Sequence, residues 1–194
     1  MAVPDAAWRC FPWDARAEPG APFSPSHLVR GQTVGRFDRH DRPPVRYLAE
    51  SPEHAIGEAL GPFRGTTFHP AYLRQSGHAL ALVEITLAPS LRARILDCTE
   101  PKVMDAWSLR PDELAHHERS RTQAIARRLY ETGNASGMPA GVRWWSALTG
   151  AWHATIVFTD REQPGEIAFA TPQVVRADDP VVTRALSILG IRVR

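Results

Sequence analysis

Apolar and polar positions alternate most regularly along Ala79–Ala88, where Val83, Ile85 and Leu87 interleave with Glu84 and Thr86. A period of two predicts a half-buried strand. Short apolar runs at Trp8–Phe11, Val45–Ala49, Arg94–Asp97, Val142–Trp145, Ala154–Thr159 and Gln173–Arg176 predict further strands. The two runs flanking the loop that holds Ser146 and Gly150 fit an antiparallel pair.

Helical signals fall between these runs. Ser51 before Pro52 places a hydroxyl N-cap ahead of a proline in the first turn, so a short helix carrying Glu58 is expected to run to about Gly61. From Pro111 to Glu131 helix-forming residues dominate, with Ile125 and Leu129 four apart and Gly133 where a cap belongs. A helix broken near Ser120 is the expectation. Asp179 and Pro180 open a last helix ending at Gly190. Residues 14–33, with Pro19, Gly20, Pro22, Pro25 and Gly31, form a long loop, and Gly133–Gly141 is a glycine-rich break. Strands and helices mix without a regular strand–helix–strand repeat, which predicts an α+β fold.

Composition narrows the classes. A chain of 194 residues with 43% apolar content can bury one core, so a single domain over 1–194 is expected. Lys+Arg 23 against Asp+Glu 21 leaves a charge of +2, which gives no general attraction to nucleic acid or anionic membrane. No apolar run approaches the ~18–20 residues that cross a bilayer, and the N-terminus lacks a basic segment followed by a hydrophobic one. A soluble, cytoplasmic protein is expected. Cys10 and Cys98 are too few for a disulfide framework and have no metal-type spacing around them, so both read as reduced, buried thiols.

Several chemical motifs are absent or incomplete. Neither GxGxxG nor GxxxxGK[ST] occurs, which removes the usual nucleotide-binding scaffolds. His116–His117–Glu118 lacks the second histidine of a zinc helix, Arg121 standing in its place, so it reads as a solvated helix face and no metal is expected. Arg119, Arg121, Arg127 and Arg128 form a basic stripe balanced by Glu113, Glu118 and Glu131, which reads as a charged helix face and not as a nucleic-acid surface. Of the adjacent Trp144 and Trp145, one faces a core and the other faces out or toward a cleft.

Four polar residues in apolar-flanked segments stand apart: Arg36 in GRFD, Tyr47 in VRYLAES, Glu58 in AIGEAL and Ser146 in VRWWSAL. Arg36 offers planar, bidentate donors to a diphosphate, and Gly35 before it permits close backbone approach. Tyr47 offers a flat face for stacking on nicotinamide. A fixed carboxylate, here Glu58, stabilises positive charge developing on ribose, and Ser146 can hold Glu58 or a ribose hydroxyl. Each has a plainer use: a solvated helix glutamate, an exposed loop arginine, a packed strand tyrosine, a turn serine.

The order and setting of these four residues resemble the RES-domain family, named for its Arg, Glu and Ser and composed mostly of bacterial NAD-consuming toxins of toxin–antitoxin pairs. Arg36, Tyr47 and Glu58 stand eleven positions apart, Ser146 follows VRWW ahead of ATIVF, and similar segments span about residues 7–160, with residues 171–194 as a terminal strand and helix. Trp8–Arg9 resembles the family's opening aromatic–Arg pair, which implies Arg9 as a second contact to NAD. The resemblance implies an ADP-ribosyltransferase-like fold, a split β-sheet core with helices around an NAD cleft. It also implies NAD as substrate, with Glu58 and Ser146 catalytic and Arg36, Tyr47 and Arg9 binding, and an antitoxin partner with oligomers of both proteins. The reaction it implies is hydrolysis or phosphorolysis of the nicotinamide–ribose bond, with mono-ADP-ribosylation of a protein, or a noncatalytic partner-binding module of the same fold, as alternatives. The sequence departs from the family at Val34–Gly35–Arg36–Phe37–Asp38, where a double glycine and tryptophan are usual, and in a charged insert from Pro101 to Gly141 that could be a lid, a partner surface or a target-binding element.

Overall fold

The computed structural model describes residues 3–28, 35–37, 42–114, 118–132 and 137–193. In chain order, β1 (Ala6–Pro12) and β2 (Val45–Ala49) precede α1 (Pro52–Leu60), β3 (Arg74–Gln75) and β4 (His78–Leu87). After α2 (Pro89–Arg92) come β5 (Ile95–Asp97), α3 (Pro101–Ala106), α4 (Pro111–Leu114) and α5 (Arg119–Glu131). Next follow β6 (Gly141–Trp145), β7 (His153–Phe158), β8 (Ile167–Phe169), β9 (Gln173–Val174) and α6 (Pro180–Leu189). The mixture of strands and helices is the expected α+β class. It divides into two compact units, Met1–Asp5, Leu28–Tyr47 and Leu87–Ile167 in the first, and Ala6–His27, Leu48–Thr86 and Ala168–Arg194 in the second.

In the first unit β6 lies between β5, which it pairs in parallel, and β7, which it pairs antiparallel from Gly141↔Val157 to Trp145↔His153. Parallel neighbours cannot be joined by a tight turn and need a crossover of a dozen or more residues. The segment carrying α3, α4 and α5 is that crossover. Its apolar residues Leu109, Ala126 and Leu129 are buried with Phe37, Cys98, Val142, Trp144, Ile156 and Phe158, and Met104, Trp107, Ile125 and Tyr130 pack against them. The insert, for which the sequence left open a lid, a partner surface or a target-binding element, is along its inner face part of the core. Tyr130 fixes the end of α5: its hydroxyl donates to Asp160 at 2.8 Å, and the guanidinium groups of Arg42 and Arg161 lie 4.4 Å and 4.1 Å from its ring centre.

A row of polar groups crosses this sheet. Arg143, almost fully buried on β6, is in register with Asp97 on β5 and Thr155 on β7. Its Nη1 donates to Asp97 Oδ2 at 2.9 Å and to Thr99 Oγ1 at 2.8 Å. Breaking one partner of such a pair is costly because it strands the other charge away from water. Glu166 is likewise buried and accepts from Ser90 Oγ at 2.7 Å, Arg94 Nη2 at 2.6 Å and Gln163 N at 2.9 Å.

In the second unit β4 pairs antiparallel with β1 from Ala6↔Thr86 to Pro12↔Leu80, and also with β3 and β9, while β1 pairs with β2 at Trp8↔Ala49. Val83, Ile85 and Leu87 are buried and Glu84 and Thr86 exposed, as the alternation predicts. Helix α1 packs on β1 and α6, burying Ala55, Ile56 and Leu60. Ser51 Oγ accepts from His54 N at 3.1 Å, the N-cap expected of Ser51–Pro52. Helix α6 ends at Gly190 in a left-handed conformation, φ 67°, which glycine adopts without steric cost.

Some local expectations are corrected. Asp179 does not cap α6 with its side chain; its carboxylate accepts from Arg176 N at 2.7 Å and closes the preceding turn. The residue ending α5 is Thr132, in an extended conformation, and Gly133, proposed as the cap, lies outside the described residues, as do Gly31, Val34, Asp38, His116 and His117. Cys98 is buried but Cys10 only partly so, and both are free. Burial pushes both thiols up to about 12, which leaves them poor nucleophiles at neutral pH. Among the described residues no helix is long and apolar enough to cross a membrane.

Two predictions follow from this packing. A Cβ at Gly141 would run into the backbone carbonyl of Ile156, whereas Gly150 faces open space. Gly141→Ala should cost about 2–4 kcal/mol in chemical denaturation, while Gly150→Ala stays within about 0.5 kcal/mol of the parent. Glu166 feels desolvation, which raises its pKa, but the hydrogen bonds from Gln163, Ser90 and Arg94 prevail and hold it below 4.5. Its contribution is therefore present above pH 4.5 and is lost as pH falls through the lowered value. Glu166→Gln should lose about 1–3 kcal/mol at pH 7, and its stability curve should converge on that of the parent in acid.

Candidate functional site

Arg36, Tyr47 and Ser146 fall in the first unit, and Arg9 and Glu58 in the second. Within the first unit the sequence-predicted residues are tied to one another. Phe37, the residue after Arg36, is buried 4.9 Å from the ring of Trp144 and 6.1 Å from that of Phe158. This anchors the short 35–37 segment, so Arg36 comes to lie with its guanidinium 5.1 Å from the Trp144 ring centre, a cation–π contact. Its Nη1 reaches the carbonyl of Trp145 at 3.5 Å, long for a hydrogen bond. Trp144 is the core-facing member of the tryptophan pair, and Trp145 is partly buried.

Tyr47 contributes twice. Its hydroxyl accepts from Phe37 N at 2.9 Å, clamping the Arg36 segment to β2, and it remains 39% exposed, one of the exposed large hydrophobic residues. A hydroxyl fixed in this way holds a partly exposed ring in one orientation, which suits stacking. Gln123 Nε2 adds a 3.4 Å contact to the carbonyl of Gly35 from α5. Ser146 directly follows β6; its backbone N donates to Trp152 O at 2.8 Å and its Oγ accepts from Leu148 N at 3.1 Å. The serine thus closes the β6–β7 turn, and its position is set by the same strand that carries Trp144 and Trp145.

In the second unit Glu58 sits on the outer side of α1, its side chain 54% exposed, and its Oε1 is 2.9 Å from Nε2 of His54, whose side chain is 1% exposed. Neighbouring α1 residues bury the helix face while the carboxylate stays at the surface. Arg9 on β1 donates from Nη1 to the carbonyls of Pro25 at 2.9 Å and His27 at 2.7 Å, and lies 5.4 Å from the Phe11 ring centre. Arg9 therefore shapes the proline- and glycine-rich loop after β1, and a role toward NAD would be additional to that.

Sequence reasoning overlooked His54 and Trp144 as supports. A usable signal existed for the first: a histidine four residues before Glu58 lies on the same helix side. For Trp144 the signal was its adjacency to Trp145, which puts one of the two rings in a core without saying which. The basic helix face is internally balanced among the described residues, with Glu118 paired to Arg121 at 3.0 Å and Glu131 to Arg127 at 3.1 Å and Arg42 at 2.5 Å. Among the described residues no cluster of His, Cys, Asp and Glu is arranged to hold a metal ion.

Comparison with known proteins places these residues in context. The family described as the RES domain matches residues 6–183, which takes in all five sequence-predicted site residues. No curated protein sequence matches. Among solved structures, the chain is similar to one in the M. tuberculosis MbcT–MbcA toxin–antitoxin complex, at 18% identity and a TM-score of 0.58, over 96% of this chain and 89% of that one. At that identity the likeness speaks for the fold alone, a mixed sheet with surrounding helices of the expected α+β class.

Tyr47→Phe keeps the ring and removes the acceptor of the Phe37 amide. Backbone exchange at Phe37 should quicken about tenfold by NMR, with a stability loss of only about 0.5–1.5 kcal/mol. Unchanged exchange at Phe37 would mean that the hydroxyl does not hold the segment.

Proposed function

The chain belongs to the RES-domain family, and from that premise we propose that it consumes NAD by cleaving the nicotinamide–ribose bond and serves as the toxin of a toxin–antitoxin pair. The observation that carries this reading is the gathering of Arg36, Tyr47 and Ser146 around β6 and the Phe37–Trp144 contact, each with one end fixed. A cation braced by a ring face, a partly exposed aromatic plane and a turn hydroxyl suit a dinucleotide, and their mutual anchoring supports a binding role over three unrelated surface residues.

In this reading the fork of Arg36 holds the diphosphate, where a lysine would supply only a point charge. The Tyr47 ring stacks on nicotinamide. Glu58 stabilises the positive charge that develops on ribose as the C–N bond breaks and nicotinamide leaves with the bonding electrons, and Ser146 fixes a ribose hydroxyl. Arg9 is a second contact to the substrate. Water or inorganic phosphate then completes the displacement at ribose. The cognate antitoxin is a protein partner, by analogy with the complex in which the similar structure was solved.

The test is incubation of the purified protein with NAD, with and without inorganic phosphate, following nicotinamide and the ADP-ribose product by chromatography. Release is expected, and Glu58→Gln should reduce it by about 10²–10³-fold while leaving thermal unfolding unchanged. A phosphate-dependent product identifies phosphorolysis. Radiolabel passing from NAD to protein in an added lysate would replace this reading by protein ADP-ribosylation, and no release under any condition would leave a noncatalytic module.

A further inference from the structure

Helix α1 buries one polar side chain among its apolar ones. His54 lies among Ala55, Ile56 and Leu60 on the packed face of the helix, where an aliphatic residue would serve the core, yet it carries an imidazole with Nε2 directed at Glu58 Oε1, 2.9 Å away. Burying an imidazole costs free energy that a hydrogen bond must offset. The partner is the carboxylate to which the proposed function gives the central role.

The chemistry of the carboxylate decides the sense of the bond. An ionised carboxylate only accepts, so Nε2 is the donor and carries the proton. Residues four apart on a helix are neighbours on one side, which makes the pair compatible with an undistorted α1. The two ends differ sharply in freedom: the His54 side chain is 1% exposed and packed, whereas that of Glu58 is 54% exposed. A glutamate so exposed samples several rotamers, and a buried donor bound to one oxygen selects among them. The N-cap reinforces the arrangement, since Ser51 Oγ accepts from the backbone N of His54 itself at 3.1 Å and fixes the turn from which the ring projects.

We propose that His54 is a positioning residue for Glu58, acting through the Nε2–H···Oε1 hydrogen bond to hold the carboxylate in the orientation that the reaction needs. The proposal rests on the NAD-cleaving reading given above. It assigns His54 no contact with substrate. Its signature is therefore a loss in turnover and not in substrate binding, restored by any residue that returns a donor to the same place.

The experiment measures kcat and KM for nicotinamide release from NAD in the parent, His54→Leu, His54→Gln and Glu58→Gln, with thermal unfolding of each. Leucine fills the apolar site without a donor, and glutamine returns an N–H of similar reach. His54→Leu should lower kcat roughly ten- to a hundredfold with KM changed less than about threefold, and His54→Gln should recover most of kcat. Parent-like kcat in His54→Leu, an equal deficit in both His54 variants, or a deficit that tracks lowered thermal stability would overturn the proposal while Glu58→Gln remained inactive. If the parent releases no nicotinamide, or Glu58→Gln is fully active, the reading of the site itself fails and this proposal falls with it.

Discussion

The parallel pairing of β5 with β6 is the constraint on which the first unit depends. It obliges the chain to leave the sheet for some forty residues between Asp97 and Gly141, and that excursion must cover the sheet's apolar face or strand it in water. Leu109, Ala126 and Leu129 do the covering, and Val142, Trp144, Ile156 and Phe158 are what they cover. Phe37 enters the same cluster from a distant part of the sequence. Arg36 is adjacent to it and so inherits a fixed place beside the Trp144 ring. The position of a candidate phosphate ligand thus follows from how a parallel strand pair is closed, with Gly141 present because β6 and β7 approach too closely for a side chain there.

Local chemistry plays the larger part in the second unit. Ser51 and Pro52 start α1, packing on β1 and α6 sets its rotation, and Glu58 emerges on the outer side with His54 behind it. The two units therefore hold their candidate residues by different means, one by a long-range aromatic cluster and the other by a single helix with its cap.

What could be read from the sequence divides along the same line. Strand β2, the Ser51–Pro52 start of α1, the alternation in β4 and the antiparallel β6–β7 pair all follow from neighbours in sequence, where period and capping chemistry act directly. The parallel β5–β6 pairing was not legible, because nothing local distinguishes a strand that returns by a crossover from one that ends in a turn. For that reason the segment from Pro101 to Gly141 looked like an addition to the domain when its inner face is core. Arg143 was hidden for a related cause: a charged residue in a strand reads as outward-facing, and only the register with Asp97 and Thr155 reveals a polar row within the sheet. Of the site, the residue types and their spacing were visible, whereas the groups that brace them belong to tertiary structure.

The braces bear on the plainer alternatives for each residue. A solvated helix glutamate has no need of a buried imidazole at its carboxylate, a strand tyrosine packed for hydrophobicity would bury its ring and expose its hydroxyl, and a loop arginine would be indifferent to a tryptophan face. The observed arrangement is the reverse in each case: the Tyr47 hydroxyl is bound while its ring is 39% exposed, Glu58 is exposed yet held by His54, and Arg36 is set against Trp144. Holding one end of a side chain and presenting the other costs conformational entropy, in the range of about 0.5–2 kcal/mol for long side chains. Folding stability gains little in return from a partly exposed ring or a surface carboxylate. Such ordering would be recovered on binding a ligand, because groups already oriented lose no further freedom. The cost is intelligible if these ends meet a substrate.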